Sequence, residues 1–203
     1  MVALRIETFS GPDLAPVLPA LARLRIDVFR AWPYLYDGDP ASEERYLVEF
    51  AKAPTAGLVL AFDGEEPVGC SSCLPLAEAG PALSVPFAAR GIDPARVFYF
   101  GESVLLPRYR GQGVGVAFFA AREAHARRLT ACDFAAFCAV ERPPDHPLKP
   151  AGAVSLDAFW RRRGFVPYPD MTCTMAWKQV DTAVDVTNTL AFWMKSLTGA
   201  SLP

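Results

Sequence analysis

"VLLPRYRGQGVGVAFF", residues 104–119, passes from an apolar run through glycines at alternate positions, Gly111, Gly113 and Gly115, into a helical pattern. The apolar segment ahead of the loop reads as a strand, and the small and apolar residues behind it read as a helix. Glycines there let main-chain N–H groups approach a ligand without a Cβ in the way. The positive end of the opening helix favours an anion. The loop is therefore a candidate phosphate site, although a tight strand-to-helix crossover would use the same glycines.

Outward from this loop the chain alternates strands and helices. "LRIETFS" (4–10) alternates as a strand, and "GPDLAPVLPALARLRIDVFRAW" (11–32) has near-helical apolar spacing, with Pro16 and Pro19 expected to kink its start. After the loop "PYLYDGDP" (33–40), "ASEERYLVEFAKA" (41–53) reads as a second helix capped by Ser42, with acids in its first turn. "AGLVLAF" and "PVGCSSCLPL" flank Asp63-Gly64 as a hairpin. The Gly- and Pro-punctuated stretch 77–96 is an excursion with one short helix. "VFYFGESVLL" (97–106) and "DFAAFCAV" (133–140) are strands on either side of the loop and its helix. "SLDAFWRRRG" is a short helix from Ser155 to Gly164. "MTCTMAWKQV" (171–180) alternates as a half-buried strand. "TLAFWMKSL" (189–197) is β-prone enough to favour a last strand over a helix, making 171–197 a terminal hairpin. No repeat, linker or low-complexity segment divides residues 1–203, so one α/β domain is expected, with a mixed sheet of about seven strands and about four helices.

Composition narrows the function. With 203 residues, 52% hydrophobic, the chain is long enough for one well-buried core. A net charge of −2 argues against a nucleic-acid or anionic-membrane surface. No apolar run approaches the roughly 18 residues needed to cross a bilayer. Arg5 and Glu7 stand where an export signal needs apolar residues, which points to a cytoplasmic protein. Five cysteines fit poorly with a disulfide framework. Cys70 and Cys73, three apart on one strand, point to opposite faces, and with only His125 and His146 available no zinc site assembles, so no metal is expected. His125 reads as a satisfied helix residue, and His146 lies in a loop, 142–153, suited to gating a site.

Spacing excludes the commoner phosphate loops. A Walker loop needs GxxxxGK[ST], which is absent. A dinucleotide fingerprint needs GxGxxG at the opening of its domain and an acid closing the next strand, whereas Asp133 starts that strand. What is present is Arg110-x-x-Gly113-x-Gly115, preceded by "LLPRYRG" and followed late in the chain by "AFWRRRGF". The pattern resembles the signature of the GNAT N-acetyltransferase superfamily, [R/Q]-x-x-G-x-[G/A], and the order of elements over nearly the whole chain is similar to that family's.

The resemblance implies a sheet splayed between its fourth and fifth strands, "GESVLL" and "DFAAFCAV", with the thioester arm of acetyl-CoA in the gap. The main chain of Val104, Leu105 and Leu106 would pair with pantetheine, and Arg110, Gly111, Gln112, Gly113, Val114 and Gly115 would hold the pyrophosphate. The acceptor, a primary amine of a small molecule or a protein, would enter under the first two helices. Glu102 is the implied base. Tyr34, Tyr36 and Asp37 stand where the family builds its acceptor site, and aromatics with an acid suit a cationic amine, although a turn at Asp37-Gly38 explains them equally well. Arg161, Arg162 and Arg163 answer the end of their helix. Where the family places a general-acid Tyr, this chain has Trp160, which donates a hydrogen bond but releases no proton. Tyr168 is nearby in sequence. The departure keeps open an inactive acyl-CoA-binding module, and the family's late strands commonly pair into homodimers.

Overall fold

The computed structural model describes residues 4–203. Its strands are β1 (Arg5–Ser10), β2 (Gly57–Asp63), β3 (Glu66–Pro75), β4 (Val97–Leu105), β5 (Phe134–Val140), β6 (Val166–Lys178) and β7 (Asp185–Ser196). Its helices are α1 (Leu18–Phe29), α2 (Pro40–Phe50), α3 (Pro81–Ala88), α4 (Val114–Leu129) and the short α5 (Asp157–Arg161). The strands form one seven-stranded sheet in the order β1-β2-β3-β4-β5-β7-β6. All pairs are antiparallel except β4 with β5. The expected α/β domain with a mixed sheet is thus the fold observed.

Both faces of the sheet are covered. Along β2, Leu58, Leu60 and Phe62 pack into the cluster under α1, α2 and α3, while Val59 and Ala61 join Val114 and Phe118 of α4 on the other side. This period-two division explains why "GLVLAFD" reads as one apolar run. Cys70 and Cys73 fall in clusters on opposite faces and are fully buried, as their spacing requires. At roughly 1.5–3 kcal/mol for each fully buried large apolar side chain, these clusters supply the main favourable term in folding.

Several helix ends differ from expectation. The prolines ahead of α1 produce a 3₁₀ stretch, Gly11–Val17, before the α-helix begins. The cap of α2 is Asp39, whose carboxylate accepts from the amides of Ala41 and Ser42, rather than Ser42 itself. Pro40 takes the first helical position, where no N–H is needed, and so moves the start upstream. The α5 helix is shorter than 155–164. Ser155 Oγ accepts from the amide of Asp157 ahead of the helix, and Gly164, at φ 84°, ends the turn that follows it.

Two features of β4 position the site. Its pairing with β5 stops at Tyr99 and Ala136, although β4 runs on to Leu105 and β5 to Val140. The strands therefore part into a gap, while β5 stays paired to β7 along its whole length. On its other side β4 faces β3 through a bulge: Ser103 opposes Ser71 but Phe100 opposes Cys73, so three steps on β4 answer two on β3. Tyr99 lies on the α1 face and Phe98 and Phe100 on the α4 face. Unbroken alternation from Tyr99 would send Glu102 to the α4 face. The extra residue returns it to the α1 face, as bulges commonly re-aim a side chain. Gly101 makes this close approach feasible, since a Cβ there would sit 2.3 Å from Ser72 Oγ.

Candidate active site

Glu102 is held by neighbours from three elements. The Ser71 hydroxyl donates to its main-chain carbonyl (3.0 Å). Its Oε2 accepts from Arg25 Nη1 of α1 (3.1 Å) and from the Tyr46 hydroxyl of α2 (3.1 Å). Arg25 also donates through Nε to Glu43 Oε2 (2.6 Å), and Tyr36 donates to Glu43 Oε1 (2.8 Å). The guanidinium lies 4.3 Å from the Tyr46 ring centre and 5.4 Å from that of Phe29. Burial works against the Arg25 charge, but the Glu102 and Glu43 carboxylates outweigh it and hold the group above its ordinary pKa. The Tyr46 and Tyr36 phenols are raised by burial and by Glu102 and Glu43 respectively, so both remain donors.

One atom of this cluster is unmatched. The Glu102 side chain is 5% exposed, and its Oε1 is buried with no hydrogen-bond partner among the described residues. A buried carboxylate oxygen without a donor costs free energy.

At the other end of the gap, the loop from Arg110 to Gly115 leads into α4. Gly111 and Gly113 have φ of 77° and 84°, and Gly113 caps the helix in the left-handed conformation. Nothing lies within 4 Å of a Cβ built on either. Among the described residues no acceptor meets the amides of residues 111 to 115; the next amides, of Val116 and Ala117, turn back to Gly113 O. The loop is braced from behind: Arg110 Nε donates to Leu105 O (3.2 Å), Gln112 Nε2 to Arg108 O (3.2 Å), and the Tyr109 hydroxyl to Asp63 (2.7 Å). Val114 is buried, and Gly115 lies against Phe159, with an added Cβ 3.2 Å from the ring. Open amides at a helix N-terminus, in the left-handed geometry glycine allows, fit a diphosphate. Just past β4, the Leu106 amide is taken by Val68 O of β3 (3.0 Å), leaving Val104 and Leu105 as the last strand residues beside the gap.

The loop between α1 and α2 carries Tyr34, Tyr36 and Asp37. Tyr34 packs at a tilt between Phe29 (4.3 Å) and Trp177 (5.9 Å). Burial raises its phenol, and Cys138 adds to the effect. Asp37 is cross-linked to Arg30 (2.6 Å) and Lys178 (2.7 Å), and hydrogen bonds from these two, Lys178 foremost, hold its carboxyl below the usual range. Leu35, at φ 55°, is fixed in the left-handed region by main-chain bonds to Ala31 and Val180. Arg142 donates to Pro33 O (2.7 Å) and Tyr34 O (2.9 Å), and the His146 ring lies 5.3 Å from that of Trp32. The segment after β5 is thus seated on this loop.

Trp160 packs 5.0 Å from Phe137 and 5.0 Å from Trp193 on the α4 face. The Tyr168 hydroxyl donates to Pro203 O (2.9 Å). His125 is 2% exposed, with Nε2 on Thr55 O (2.9 Å). Arg25, Glu43 and Tyr46 complete the cluster around Glu102 and were not singled out from the sequence. Their signal was a charge on an apolar stripe: Arg25 is four residues from Leu21, and Glu43 precedes Leu47 and Phe50 by four and seven.

A sequence model of the Acetyltransferase (GNAT) family matches residues 21–165, which include Arg25, Glu43, Glu102 and the glycine loop. No curated protein matches the sequence. Among solved structures, the ribosomal-protein-alanine N-acetyltransferase of Brucella melitensis is 16% identical, with a TM-score of 0.59 over 95% of this chain and 99% of that one. A GNAT-family acetyltransferase from Staphylococcus aureus is 12% identical, with a TM-score of 0.58 over 96% and 99%. An acetyltransferase from Thermus thermophilus is 16% identical, with a TM-score of 0.55 over 96% and 97%. At these identities the likeness to the solved structures is one of fold. Among the described residues, no helix is long and apolar enough to cross a membrane.

Proposed function

The chain belongs to the GNAT acetyltransferase family, and from that premise we propose that it moves an acetyl group directly from acetyl-CoA to a primary amine of a small molecule or a protein. The observation that carries this reading is the row of unpartnered amides from Gly111 to Gly115 at the start of α4. In it, these amides and Arg110 hold the diphosphate. The main chain of Val104 and Leu105 pairs with the pantetheine arm as an added strand would. The thioester supplies the activated acyl group.

The residues of the acceptor side then have distinct tasks. An amine with a pKa near 10.4 is protonated at pH 7, and freeing its lone pair costs roughly 4–5 kcal/mol. Glu102 Oε1 receives that proton, directly or through one water, because Oε2 is committed to Arg25 and Tyr46. The cluster of Glu43, Glu102 and Arg25 carries one more negative charge than positive, which favours an approaching ammonium. Tyr34, Tyr36 and Asp37 shape the wall of the acceptor site, with Asp37 acting through its cross-links. No proton donor for the leaving thiolate is assigned, and coenzyme A thiol is acidic enough to leave as the anion.

Trp160, half-buried against aromatic rings, favours a second reading, an acyl-CoA-binding module without turnover. Calorimetry with CoA, followed by thiol release from acetyl-CoA across a panel of amines, decides. Binding with turnover on any amine supports the transferase, binding with none supports the module, and no binding removes both.

A further inference from the structure

Arg25 is shared unequally between two carboxylates. Glu43, itself 1% exposed, holds Nε at 2.6 Å, while Glu102 receives only Nη1, at 3.1 Å, on a single oxygen. A guanidinium free of Glu43 would present two N–H groups side by side and close them over both oxygens of the nearest carboxylate, the arrangement arginine favours. Here that carboxylate is Glu102, and the capped atom would be Oε1, the one the structure leaves unpartnered. Glu43 is prevented from swinging away by the Tyr36 hydroxyl on its other oxygen, and the Tyr46 and Phe29 rings flank the guanidinium.

We propose that Glu43 is a positioning residue for the transfer: by gripping Arg25 through Nε, it stops the guanidinium from forking over Glu102 and leaves Oε1 without a donor, able to take the proton of the amine. This rests on the reading of Glu102 as the base. Through Tyr36, it also ties the loop between α1 and α2 to the reacting carboxylate. Lysine at position 25 would keep the positive charge but, as a point donor, could not fork.

The test compares Glu102→Gln, Glu43→Gln and the double variant Glu43→Gln/Arg25→Lys in steady-state transfer. Glu43→Gln, isosteric and still able to accept from Tyr36, is expected to lower kcat about tenfold, part of a general-base contribution. KM for acetyl-CoA should not change. The double variant should recover at least about threefold over Glu43→Gln. A purely structural Glu43 gives the opposite order, with the double variant the more impaired. If Glu102→Gln is as active as the wild type, the base reading fails and this proposal goes with it. If Glu102→Gln is impaired while Glu43→Gln is not, or while Arg25→Lys brings no recovery, only this proposal is overturned. Should Glu43→Gln not fold, Tyr36→Phe replaces it: a loss in kcat of about threefold that Arg25→Lys relieves supports the proposal, and no loss or an unrelieved one refutes it.

Discussion

Gly111 and Gly113 turn bare main chain to solvent, with nothing within 4 Å of an added Cβ, whereas Arg25, Glu43 and Glu102 bury their charges on one another across α1, α2 and β4. The first region needs no particular side chain, only a backbone that glycine can adopt and a helix start behind it. The second needs every side chain at once, because a charge taken from water is tolerated only while its partner stays. Substitutions at the loop should therefore act through conformation and be graded. Those in the cluster should act through charge and be abrupt.

That contrast can be broken at four points. Glu102→Gln should cost most, lowering kcat/KM by about 10²–10⁴ while leaving CoA affinity unchanged; a loss below about threefold in a folded variant removes Glu102 from the mechanism. Arg25→Met strands two buried carboxylates and should reduce stability by about 3–5 kcal/mol in urea unfolding. A loss under about 1 kcal/mol would mean the cluster behaves as a surface network. Gly113→Ala meets no atom, so its cost is that of the left-handed backbone alone, about 1–2 kcal/mol. It should appear as weaker CoA binding with kcat nearly kept, and an unchanged affinity would show that the loop conformation is not needed.

The smallest effect concerns the frame of α4. His125 has its pKa lowered, first by burial and then by Arg128, against the hydrogen bond to Thr55 O that raises it. The unfolded chain therefore takes up a proton near pH 6.5 that the folded chain refuses until lower pH. Stability should fall as pH drops below about 6.5, with a slope of at most about 1.4 kcal/mol per pH unit from this group. His125→Gln should flatten that part of the profile; an unaltered slope would assign it elsewhere.

The same contrast explains what could be read in advance. The loop is local: strand, three glycines at alternate positions and helix lie within residues 104–119, and main-chain recognition leaves its requirement written as glycine. The succession of strands along the chain followed from alternation and hairpin turns; the place of β7 between β5 and β6 in the sheet did not. The cluster is not local. Glu43 reads as an acid in the first turn of a helix, and only the packing of that helix in the fold buries it. The direction of Glu102 depends on the bulge at Gly101, which a glycine inside a strand hints at but does not locate. Ser42 lost the cap to Asp39 because Pro40 moved the helix start, a competition among neighbours that residue preference alone does not resolve.

The central claim is that the main-chain amides from Gly111 to Gly115 grip the diphosphate of coenzyme A. A titration of ¹⁵N-labelled protein with CoA, following backbone amide resonances, tests it directly. Saturable shifts largest at residues 111–115, reproduced by the 3′-dephosphorylated cofactor, are the predicted result. No saturation, or shifts concentrated elsewhere while these five amides stay unmoved, would contradict it.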